Sequence, residues 1–125
     1  MNPDQDYRGG LSADDLVRTL QGLLAAERTA MRLTCRYLAD FADRMEDGVC
    51  GALAGYSDVH HAARCLFGLG AHSTRERIRV GRALRSLPQI ERALVTGELS
   101  YSRAREVTRV ANPGDESAWL DRART

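Results

Sequence analysis

Val17, Leu20, Leu24, Glu27, Met31, Thr34, Leu38, Phe41 and Met45 follow one another at alternating spacings of three and four residues. A helix of 3.6 residues per turn puts such positions on one face, and no strand does. Leu16, Leu23, Ala30 and Tyr37 widen the stripe. Ser12 with Asp15 three residues later reads as an N-cap with an acidic first turn. The pattern predicts a single helix over 12–47, about 50 Å long at 1.5 Å per residue. Four heptads leave two uses open. The stripe either packs on the chain's own later helices, or Val17, Leu20, Leu24, Met31, Leu38, Phe41 and Met45 form the seam of a homodimer, with Glu27 and Thr34 fixing its register.

After this helix the pattern shortens. EDGVCGALAGY carries Gly48, Gly51 and Gly55 and reads as a loop, without the GxxxxGK[ST] of a phosphate cradle. Ser57 is expected to cap a helix whose Val59, Ala62, Ala63, Leu66 and Phe67 share a face, ended by Gly68 and Gly70. Ser73 and Glu76 form a capping box for the next helix, with Val80, Ala83, Leu84 and Leu87 inward. Pro88 suits the first turn of a further helix with Ile90, Ala93 and Leu94 inward, closed by Gly97. Ser100 opens a helix that Asn112-Pro113 stops, and a last one with Trp119 and Leu120 begins near Asp115. No segment reads as a strand. The expected fold is all-α: a disordered stretch over 1–11, the long helix, and a bundle of about five short helices over 57–125, together one domain.

Charge and composition then bound the function. All eighteen basic residues are arginine, and the net charge is only +1. Residues 1–58 hold 6 Arg against 10 Asp or Glu, and residues 75–109 hold 9 Arg against 4 Glu. That asymmetry predicts a basic face beside an acidic supporting half. No apolar run reaches the ~18 residues of a membrane span. MNPDQDYRGG lacks the basic-then-apolar order of a secretory leader, so the expected location is the cytoplasm. Cys35, Cys50 and Cys65 form no CxxC pair, and His60, His61 and His72 show no close ligand spacing with them. No metal or other cofactor is expected, no nucleophile has a placed base, and no small-molecule substrate suggests itself.

The arginines supply the remaining chemistry. Two helices joined by GLGAHS form a helix-turn-helix pattern whose second member is STRERIRVGRALRSL. At 100° per residue, Arg75, Arg79, Arg82 and Ser86 fall within about 60° of each other. A row of guanidiniums suits phosphates and guanine edges, because the planar fork donates paired hydrogen bonds. Ser73 and Thr74 at the helix start are placed to offer hydroxyls and N–H groups to a phosphate. Arg103, Arg105 and Arg109 on the GELSYS helix extend the basic segment. A solvated basic face paired with nearby acidic helices explains the same pattern equally well.

The stretch from His60 to Arg124 resembles the domain of unknown function 222, the 13E12 repeat family. The residues carrying the resemblance are RERIRVGRALRSLP, GELSYSRAREVTRVA and the Asn-Pro break before an acidic helix, over roughly 57–124. In that family the domain usually precedes a C-terminal HNH endonuclease domain. The layout is also similar, more loosely, to the helix-turn-helix region of ParB-type partition proteins, in which a leucine-proline helix and a G-x-L-S turn follow. The resemblance implies DNA as a partner through the arginines named above. An HNH nuclease needs histidines, yet none follows His72 and no cysteine follows Cys65. The expectation is therefore a non-catalytic, DNA-binding accessory domain; the alternative is a protein-interaction or oligomerisation domain that uses the long helix.

Overall fold

The computed structural model describes residues 7–48 and 55–124 and is entirely helical there, apart from turns and connections. The expectations for residues 1–6, Cys50 and Gly51 lie outside the described residues. Six helices follow in order: α1 (Ala13–Glu46), α2 (Val59–Phe67), α3 (Ala71–Leu84), α4 (Pro88–Thr96), α5 (Tyr101–Val107) and α6 (Glu116–Arg124). No strand occurs among the described residues.

α1 runs unbroken for 34 residues. The Asp15 N–H donates to Ser12 Oγ at 3.2 Å, and Asp14 and Asp15 sit where the helix dipole favours negative charge. Its two halves have different fates. Cys35, Leu38, Ala39 and Ala42 are buried against the later helices, and Met31 packs on the same core. Leu16, Val17, Leu20, Leu23 and Leu24 remain exposed. The stripe is thus used by the chain's own helices over its second half and left open over its first. Leu38, at 6% exposure, is taken by the chain's own core and is not a seam for a partner, while Met31 is partly buried against that core and also borders the open face.

α1 and α3 cross at Gly81. A Cβ built there would lie 2.0 Å from the Cys35 carbonyl oxygen and 3.0 Å from the Ala39 Cβ. Only glycine lets the two backbones approach so closely. Around this crossing Val80, Leu84, Leu87, Ile90, Leu94, Leu99, Ala104 and Leu120 join Cys35 in one core. Leu38, Ala42 and Ile78 form a smaller cluster with Val59 and Leu69.

Several helix ends follow local rules. Pro88 opens α4 and left-handed Gly97 (φ 86°) closes it, with the Leu99 N–H returning to the Ala93 carbonyl at 3.1 Å. Ser100 Oγ accepts from the Arg103 N–H at 3.2 Å to start α5. Others differ from expectation. Asp58 rather than Ser57 caps α2, accepting from the His61 N–H at 2.8 Å. The Ser73–Glu76 box does not form. Gly68 turns left-handed, Gly70 is extended, and α3 starts at Ala71, with Ser73 already inside it. Glu76 meanwhile binds Arg79 and Arg109 rather than reaching back to Ser73. α5 ends at Val107, short of Asn112-Pro113. The Thr108 hydroxyl donates to the Ala104 carbonyl at 2.8 Å, and the Arg109 and Val110 N–H groups fall back to three-residue bonds. At the other end, Glu116 at the start of α6 accepts from the Ile90 N–H at 2.8 Å, which caps α4 from a distant part of the chain.

Two glycine substitutions separate packing from propensity. Gly81→Ala is expected to destabilise by about 2 kcal/mol or more through overpacking at the crossing. Gly22 lies inside α1, and a methyl group there would meet nothing within 4 Å. Its alanine variant should gain about 0.5–1 kcal/mol. Urea denaturation of the two variants checks both signs.

Candidate functional site

The arginines of α3 face the acids of α1. Arg82 donates to Asp43 at 2.9 Å and to Glu46 at 3.0 Å. Arg85 reaches Asp40 at 3.0 Å and Asp43 at 2.6 Å. On α1, Arg32 and Arg36 meet Glu91 of α4 at 3.6 and 3.2 Å. Much of the charge asymmetry seen along the chain is thus neutralised within it. Hydrogen bonding from Arg85 and then Arg82 holds the Asp43 carboxyl below its ordinary range, while Glu46 and Asp43 raise the affinity of the Arg82 and Arg85 guanidiniums for their protons.

Arg79 ties α3 to α5. Its guanidinium donates to Glu76 at 2.8 Å, to the Thr108 hydroxyl at 3.2 Å and to the Arg105 carbonyl at 2.8 Å. Arg109, in the turn after α5, binds the other Glu76 oxygen. Hydrogen bonding from Arg79, and the added charge of Arg109, lowers the Glu76 carboxyl. Arg105 is half-buried with its Nε lacking a hydrogen-bond partner, 3.7 Å from Glu106. Arg103 is exposed and donates to the Ala123 carbonyl at 2.7 Å. Thr74 is fully buried and its hydroxyl donates to the Gly70 carbonyl at 2.9 Å, so it has no surface to give a phosphate. Ser73 is half-buried in the first turn of α3. Arg75 alone of the expected α3 stripe is exposed with no ion pair or hydrogen bond among the described residues; it shares a hollow of about 330 Å³ with His60.

A second surface includes the first part of the heptad seam expected from the sequence. Leu16, Val17, Leu20, Leu23 and Leu24 are each 49–61% exposed along the first half of α1. Where α1 meets α3 the stripe continues as a groove of two adjoining hollows of about 660 and 540 Å³. Leu33, Tyr37, Phe41, Phe67 and Leu69 line the first, and Leu24, Glu27, Leu94 and Tyr101 line the second. The Phe41 and Phe67 rings meet edge to face at 5.5 Å. Arg77 borders both hollows, half-buried, and makes no ion pair or hydrogen bond among the described residues. Beneath them, burial pushes the Cys35 thiol up to about 11, which leaves it neutral and unreactive at neutral pH.

No protein-family model, curated protein or solved structure matches this chain. No helix among the described residues is long and apolar enough to cross a membrane.

Asp43 and Glu76 hold their protons less tightly in the folded chain, so their contribution is present above ordinary carboxyl values near about 4 and is lost as pH falls through and below them. Asp43→Asn/Glu76→Gln is expected to be less stable at neutral pH. Its stability should also fall less steeply than the parent's between about pH 5 and pH 3. Denaturant midpoints measured across that range check the slope, and parallel curves would contradict it.

Proposed function

We propose that this chain is a self-association module that docks through the first half of α1. The observation carrying this reading is the unpartnered apolar stripe from Leu16 to Leu24. A helical segment of that length is marginal in water on its own, because tertiary packing supplies most helix stability. Five large apolar side chains in one strip also exceed the scattered exposure of an ordinary surface. Each half-exposed residue has about 1 kcal/mol of burial still to gain. Ten such residues across two copies supply about 10 kcal/mol, which exceeds the lower end of association costs by about 6 kcal/mol and fits a weak, concentration-dependent dimer.

The expected result is a mass, from light scattering across a hundredfold concentration range, that rises toward a dimer. Leu20→Glu should hold it at a monomer while leaving the melting temperature within a few degrees, since Leu20 lies outside both core clusters. A parent chain that stays monomeric throughout contradicts the reading.

DNA binding, which the resemblance to the 13E12 repeat family favours, is a second reading supported by the freedom of Arg75. His60 lines one hollow with Arg75 and a separate one with Arg64. On this reading Arg75 contacts phosphate, whereas Arg79 and Arg82 hold helices together and their loss acts through stability. Fluorescence anisotropy of a labelled duplex at two salt concentrations is expected to show Arg75→Ala binding more weakly, with a salt slope reduced by about one. No binding by the parent chain at low salt removes this reading.

A further inference from the structure

We infer that the self-association partner is a second copy of this chain laid antiparallel, with Glu27 of each copy paired to Arg77 of the other. This rests on the self-association reading above. The apolar surface comes in two complementary parts on one helix: a projecting stripe (Leu16, Leu20, Leu24) and a groove lined by Tyr37 and Phe41. An antiparallel pairing about a two-fold axis near Ala30 and Met31 sets Leu20 opposite the partner's Phe41. It sets Leu24 opposite the partner's Tyr37, and Glu27 opposite the partner's Thr34.

Charge decides the register. Glu27 is exposed and makes no ion pair or hydrogen bond among the described residues, and half-buried Arg77 likewise makes none. Arg77 borders the groove beside Thr34, where the antiparallel register brings the partner's Glu27. A guanidinium covered by an apolar partner with no counter-charge is costly; the incoming carboxylate removes that cost. A parallel pairing sets Glu27 against Glu27 and leaves Arg77 unanswered, which disfavours it.

The test is charge reversal followed by mixing, read by sedimentation velocity. Glu27→Arg and Arg77→Glu, each alone, should raise the dimer dissociation constant at least about tenfold. Within each variant, and within each of its homodimers, the charges at 27 and 77 are alike. In an equimolar mixture, position 27 of either variant meets an opposite charge at position 77 of the other, so dimer should return as the mixed species. Circular dichroism melts confirm that both variants are folded. If Arg77→Glu does not fold, Glu27→Cys mixed with Thr34→Cys should give the crosslinked heterodimer on mild oxidation in excess over either homodimer. A dimeric parent whose single variants dimerise equally well, or whose mixed variants stay monomeric, overturns the pairing alone. A monomeric parent overturns the self-association reading and the pairing with it.

Discussion

The close crossing of α1 and α3 at Gly81 is the contact on which the other features depend. With the Cys35 carbonyl where a side chain would stand, the two helices meet backbone to backbone. That approach brings Arg82 of α3 and Arg85 at its C-terminal cap within reach of Asp40, Asp43 and Glu46 one helix over. It also buries Cys35, Leu38, Ala39 and Ala42 while leaving the other edge of the stripe open beside Arg77. A wider crossing would leave those guanidiniums facing solvent, as a basic surface.

The arginines consequently divide by role. Arg79, Arg82, Arg85 and Arg109 link elements distant in sequence, with Arg79 and Arg109 both joining α3 to the end of α5 and the turn after it. These pairs are partly solvated, and individually such pairs contribute little. Their shared carboxylates, Asp43 between Arg82 and Arg85 and Glu76 between Arg79 and Arg109, make them small networks that fix how helices sit. Arg75 and Arg77 stand outside those networks. They border different surfaces, one beside α2 and one at the apolar groove.

Local patterns carried much of this into the sequence. The length of α1, its Ser12 cap, the Pro88 and Gly97 ends of α4 and the Ser100 start of α5 each rest on residues close together in the chain. The start of α3 departs from its local pattern because a capping box competes with a glycine turn, and the Gly68–Gly70 turn takes precedence. What was not legible involves partners far along the chain. Arg82 meets Asp43 across 39 residues, and Glu116 caps α4 across 26. Gly81 reads in the sequence as a weak helix former, and only the neighbouring backbone shows why no side chain fits there. A helical wheel shows which residues share a face but not what covers that face. The heptad stripe was therefore visible, and its division into a buried half and an open half was not.

The division of α1 is tested most directly by hydrogen exchange at two protein concentrations. Its second half, packed on α3, is expected to be protected at both. Amides from Leu16 to Glu27 are expected to exchange quickly in dilute protein and slowly in concentrated protein, because only a partner covers that segment. Protection there that does not change with concentration would contradict self-association through α1.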